Sequence, residues 1–201
     1  MEEQSIIALQ KQLVQKQYSS IHSPVTYIGG RRYHFTEQPI IANVLIMLPS
    51  EFIDLPPALA RQKYPSSQRP QCIKTSTDMS VNFAFSYMQD KVREDELVGL
   101  RNTAMDGLRK IYPQNDYVGA GLNYWGEKKG SLFSWFDYTG PTLDAETYSF
   151  NAFMVVNERL LYYLFNCAKE GYENWKPIIF ETIASMRNQP FDWKGADRNE
   201  G

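Results

Sequence analysis

Residues Glu146–Cys167 read ETYSFNAFMVVNERLLYYLFNC, and their alternation decides the fold. In the second half, Leu161, Tyr163, Phe165 and Cys167 share one parity, and Leu160, Tyr162 and Leu164 share the other. Successive strand side chains point to opposite faces, so both faces of this strand are apolar. Such a strand needs cover on both sides, which places it centrally in a layered domain. Asn157-Glu158 separates this run from the one before it, so strands are expected over residues 146–156 and 159–166.

Working outward, Val81, Phe83, Phe85 and Tyr87 alternate with Asn82, Ala84 and Ser86, the pattern of a strand with one face in the core. With residues 71–75 and a turn at 77–80 it forms a hairpin. Residues 117–125 and 131–138 read as two further strands around a 126–130 loop, with a turn at Thr139-Gly140-Pro141. Leu97, Leu100, Ala104, Leu108 and Ile111 form the stripe of a helix over 94–112 that stops at Pro113. A last helix over 173–186 carries Trp175, Ile179, Ile183 and Met186, with Pro177 in its first turn. Nearer the start, residues 31–37 suit one strand and Val44–Leu48 a buried one, and Pro56-Pro57 opens a short helix to Lys63. Residues 22–30 carry Pro24, Gly29 and Gly30 and read as a linker or turn. The class is α+β, a three-layer α/β/α sandwich around a central antiparallel sheet. Residues 1–24 are an amphipathic helix and linker, 25–187 one domain, and 188–201 a mobile polar tail.

Composition narrows the function. Of 201 residues, 43% are hydrophobic and 22% charged, which suits one globular domain. A formal net charge of −2 and no dense Lys/Arg run disfavour nucleic acid. The longest apolar stretch, Ile40–Leu48, is interrupted by Asn43 and too short to span a bilayer, so no membrane role is expected. Two cysteines make no disulfide framework, and the acidic start Met1-Glu2-Glu3 has no apolar signal core behind it. The expected location is the cytoplasm.

No catalytic, cofactor or metal motif emerges. Gly119-Ala120-Gly121 is a GxG, but Tyr124 stands where the third glycine belongs and no helix follows. A strand whose glycines allow a bulge or a close approach is the better reading. His22 and His34 are the only histidines and lack ligand spacing. Cys72 or Cys167 with His34 would make a nucleophile only if a neighbour lowered the thiol pKa; Cys167 shares a face with Phe165 and Tyr163, which favours an inert thiol. Asp137 and Asp144 flank a loop, and Glu94, Asp95 and Glu96 suit helix capping and the helix dipole.

The order of elements has a precedent. An apolar strand passes through Leu48-Pro49 to Phe52 and a short helix, then Tyr64-Pro65 and Arg69-Pro70. Val81-Asn82-Phe83, a long helix, several aromatic strands and a helix near Trp175-Lys176 follow. This resembles the Mog1/PsbP-like superfamily, in particular its small bacterial members, over about residues 30–187. The resemblance implies an antiparallel sheet with helices on both faces. The superfamily's functions diverge: binding a small GTPase, supporting a photosystem, chaperoning secreted effectors. It carries no residue role to this sequence, and fold is a weak guide to function.

The function expected is therefore a non-enzymatic adaptor or chaperone whose partner is another protein, with neither cofactor nor metal. Partner contacts are expected at Trp125, Trp135 and Tyr138 around the hairpin and at Tyr64 and Arg69 in the loop, although for each single residue sheet packing and cation–π support within the fold are the better reading. Two alternatives stand beside it: an enzyme with a site built from scattered residues such as Cys72 or Cys167, and a small-molecule or lipid carrier with a pocket between sheet and helices.

Overall fold

The computed structural model describes residues 20–65, 69–126, 130–142 and 145–189. Apart from Ser20, the helix expected over residues 1–20 lies outside them, as do residues 190–201. The chain enters as a hairpin, β1 (Thr26–Ile28) and β2 (Arg31–Tyr33), turning at Gly29 and Gly30 with φ of 57° and 81°. Of the linker or turn read over residues 22–30, the structure shows a turn. Two glycines in left-handed conformation make a hairpin turn as readily as a loop, and Thr26 and Ile28 are buried. The single strand expected over 31–37 is broken at His34, after which β3 (Phe35–Pro39) pairs with β4 (Val44–Pro49).

The main sheet holds β5 (Ile53–Asp54), β6 (Cys72–Thr75), β7 (Asn82–Lys91), β8 (Asp116–Trp125), β9 (Ser131–Pro141), β10 (Glu146–Val156) and β11 (Arg159–Ala168). Its order is β5-β6-β7-β11-β10-β9-β8, and all its pairs are antiparallel. The doubly apolar strand β11 stands fourth of seven, at the centre. The turn expected at 139–141 is instead the end of β9, because Thr139, Gly140 and Pro141 pair with Tyr148, Thr147 and Glu146. A separate three-stranded sheet, β12-β4-β3, is closed by β12 (Arg187–Asn188).

Three helices are described. α1 (Pro57–Lys63) starts with its proline at the first position, where the missing N–H costs nothing. α2 (Leu97–Ile111) follows a 3₁₀ turn at Glu94–Glu96, where the Glu96 carboxylate accepts from the Arg93 N–H at 2.8 Å. Ile111, expected on the apolar stripe, is 67% exposed in the final turn, whereas Leu97 is fully buried. α3 (Tyr172–Ala184) begins one residue before the expected start, which makes Pro177 its sixth residue. Pro177 is therefore inside the helix and leaves the Glu173 carbonyl without its helical donor; the burial of Trp175, Ile178 and Ile179 around it offsets that loss.

Each face of the sheet has its own apolar cluster. On one face Phe83, Phe150, Tyr163 and Phe165 pack against Trp175, Ile179 and Ile183 of α3 and against Ile46 and Leu48 of β4. Cover on this side therefore comes from a helix together with a small sheet. On the other face Phe136, Phe153 and Leu160 lie with Leu97 of α2, and Ile73 and Ala84 lie with Ala60 of α1. β7, expected to be apolar on one face only, is buried on both: Asn82, Ala84 and Ser86 are covered as fully as Phe83 and Phe85.

Candidate binding site

Two places stand out: a cavity on the helical face between α1 and α2, and the outer edge of the sheet at β8. The cavity has a volume of about 690 Å³. Its floor is a polar row that crosses four strands in register, Asn82 opposite Asn166, Asn166 opposite Ser149, and Ser149 opposite Tyr138. Hydrogen bonds link the row. Asn166 Nδ2 donates to Ser149 Oγ at 2.8 Å, the Tyr64 hydroxyl to Asn166 Oδ1 at 3.3 Å, and Thr75 Oγ1 to Asn82 Oδ1 at 3.0 Å. One layer away, Asn151 accepts from the Tyr162 hydroxyl. Leu108, Leu164 and Met79 give the walls apolar surface. Burial pushes Tyr64 up to about 12 and also raises Tyr138 and Tyr162, so all three hydroxyls stay neutral.

The expected contact residues fall in both places. Tyr64 and Tyr138 come together on the cavity wall, from α1's C-terminus and from β9. Arg69 braces the same loop, its Nε donating to the Tyr64 carbonyl at 3.2 Å. Trp125 and Trp135 belong to the opposite face. Trp125 is buried, and Trp135 stacks on Phe150 at 5.3 Å and meets Phe180 edge-on. Lys176 Nζ lies 5.3 Å over the Trp135 ring and 2.6 Å from Asp137 Oδ2, which also accepts from the Tyr148 hydroxyl at 2.6 Å. Asp137, in the strand expected over 131–138, is fully buried in β9, and Asp144 lies outside the described residues.

Trp135 explains the Gly119-Ala120-Gly121 sequence. A Cβ at Gly121 would sit 3.1–3.2 Å from the indole, and β8 is bulged between Tyr117 and Gly119. Beyond that support, β8 is the outermost strand of the sheet among the described residues. Val118, Leu122 and Tyr124 are 44%, 48% and 56% exposed along it. An uncovered edge offers unpaired backbone donors and acceptors, and natural sheets guard such edges with charges, prolines or bulges. β8 carries one charged residue, Asp116, and Arg101 Nη1 donates to the Gly121 carbonyl at 3.2 Å. The opposite edge, β5, is two residues long.

The cysteines show no activation. Burial pushes Cys167 up to about 12 and raises Cys72, so neither supplies thiolate at neutral pH. His34 is engaged with Glu51 at 3.1 Å on the surface. Among the described residues no three of His, Cys, Asp and Glu converge to hold a metal ion, and no helix is long and apolar enough to cross a membrane.

The polar floor escaped sequence reading because its members come from separate strands. The available signal was an amide or hydroxyl on a buried parity: Asn166 continues Leu160, Tyr162 and Leu164, and Ser149 and Asn151 precede Phe153.

No protein-family model matches the chain, and no curated protein matches it significantly. Solved structures do. The solution structure of cyanobacterial PsbP (CyanoP) from Synechocystis sp. PCC 6803 aligns with a TM-score of 0.54 at 10% identity, covering 83% of this chain and 99% of that one. LpqN of Mycobacterium tuberculosis, described as involved in cell envelope biogenesis, aligns with a TM-score of 0.51 at 12% identity, covering 76% and 90%. At such identities the likeness concerns the fold, and the fold is PsbP/Mog1-like.

Proposed function

We propose that this chain is a non-enzymatic adaptor or chaperone that holds an extended segment of another protein along β8. The observation that carries this reading is the ten-residue outer strand with Val118, Leu122 and Tyr124 exposed along it. A partner strand added there gains main-chain hydrogen bonds from the edge, and alternate apolar side chains set its register. Trp135 and Trp125 serve as the rigid underside of this edge. We read the frame beneath it as a three-layer α/β/α sandwich, which keeps the edge strand from twisting away. A cytoplasmic setting belongs to the same proposal and is supported by the free cysteines Cys72 and Cys167.

The test is site-specific photo-crosslinking of the full chain in lysate of its own host. A photo-reactive phenylalanine analogue at Leu122 should yield one dominant adduct near stoichiometry. The same analogue at Met88, exposed on β7, should yield none, and Leu122→Lys should abolish co-purification of that partner. Equal labelling at both positions, or a partner that survives Leu122→Lys, would exclude the edge strand as the docking site.

A further inference from the structure

Arg101 is a half-buried cation beside the β8 edge, and the groups it hydrogen-bonds are all neutral. Its Nη1 donates to the Gly121 carbonyl at 3.2 Å, and its Nε and Nη2 donate to Asn102 Oδ1 at 3.1 and 2.9 Å. Among the described residues no carboxylate pairs with it. Arg109, which also reaches β8 from α2, differs. It lies 4.5 Å over the Tyr117 ring and has a counter-charge in Asp106 at 3.5 Å.

The strand register shows what lies next to Arg101. Ala120, Leu122 and Tyr124 stand opposite Phe136, Ser134 and Leu132, and directly opposed residues share a face of a sheet. Phe136 and Leu132 pack in the cluster that holds Leu97 of α2. Ala120, Leu122 and Tyr124 therefore project on the α2 side, and all three are exposed. A strand added to β8 would lay alternate side chains along this row. It would also take water from the Arg101 guanidinium, and a charge desolvated without a partner opposes binding. A carboxylate removes that penalty, because the planar guanidinium matches it with two parallel N–H···O bonds. The same charge guards the free edge, since a strand without an acid would bury it unpaired.

A second copy of β8 does not supply the acid. Paired antiparallel, it would bring Tyr117, Ala120, Leu122 and Tyr124 to this side, none of them charged. Its one carboxylate, Asp116, stands opposite Thr139, on the face of Trp135 and α3.

We propose that the segment held along β8 is an acidic-apolar extended strand of another protein. Apolar side chains cover Leu122 and Tyr124, and one Asp or Glu on the same parity pairs with Arg101. This presupposes the docking edge proposed above and adds to it the chemistry of the partner.

Selection of random nonapeptides displayed on phage against the full chain, with Leu122→Lys as counter-bait, tests it. Peptides that bind the unaltered chain and not Leu122→Lys should carry Asp or Glu two residues from an apolar residue. In the tightest of them, exchanging the acid for its amide should weaken binding to the unaltered chain about fivefold, and binding to Arg101→Gln by less than about twofold. The same selection against Arg101→Glu should put Lys or Arg in place of the acid. Leu122-dependent peptides without the acid, or an amide exchange that costs as much on Arg101→Gln, would overturn the acidic specificity and leave the docking edge standing. A selection in which no peptide depends on Leu122 would overturn both. Should Arg101→Glu fail to fold by circular dichroism, the amide exchange measured on Arg101→Gln decides.

Discussion

Gly121 and Gly107 are the same residue type under opposite constraints. At Gly121, on β8, an added Cβ would press on an indole held between Phe150 and Phe180, leaving it no room to yield. At Gly107, in α2, an added Cβ meets nothing within 4 Å. Gly121→Ala should therefore destabilise the protein by about 1–2 kcal/mol, the cost of overpacking a filled site. Gly107→Ala should stabilise it by about 0.5–1 kcal/mol through helix propensity alone. Urea denaturation of the two variants should move the midpoint in opposite directions. The sequence showed that the glycines of β8 permit a close approach. It could not show that Trp135 is what approaches, because that contact depends on the register of β8 against β9.

The β10–β11 hairpin is an element whose turn conflicts with its own sequence. Asn157 and Glu158 both have positive φ, 49° and 62°, in the two-residue turn that favours Asn-Gly. Asparagine tolerates this conformation; glutamate pays about 1 kcal/mol or more for it. What Glu158 returns is an ion pair with Lys91 at 2.6 Å, with both side chains about three-quarters exposed, and such surface pairs contribute roughly 0–1 kcal/mol. The strain is the larger effect, so Glu158→Gly should stabilise the protein by roughly 0.5 kcal/mol after the added flexibility of the unfolded chain is counted. A thermal melt should show a small rise in Tm that grows with added salt relative to the parent, since screening removes the parent's ion pair but not its strain. Of all the turns this one was the most legible, because two polar residues between long apolar runs admit few alternatives. At Gly29-Gly30 a turn was legible but the hairpin was not, since the strands beside it are three residues each and carry too little alternation to show.

At the scale of the molecule, stability should follow how many layers a strand touches. The position of β11 was readable because its apolar residues occupy both parities, and the structure places it in the middle of the sheet. What the sequence could not reveal was that β3 and β4 leave that sheet and pair with each other, with β12 on the other side of β4. Strand pairing is a long-range choice, and the apolar run Val44–Leu48 would serve equally well in either sheet. That separation has a consequence for cooperativity. β7, β10 and β11 lie between the apolar clusters of the two faces, so opening any of them exposes both faces at once. β3 is exposed at most of its positions, and β12 is two residues long and tied to β3 through Arg187 and Glu37 at 2.6 Å. Local opening of β3 and β12 should therefore cost much less free energy than global unfolding. Native-state hydrogen exchange should find the slowest amides in β7, β10 and β11, with β3 and β12 exchanging at least a hundredfold faster. Protection of β3 equal to that of β11 would mean that the small sheet and the large one open as a single unit, with α3 as the element that joins them, because Ser185 at its end accepts from the Met47 N–H of β4.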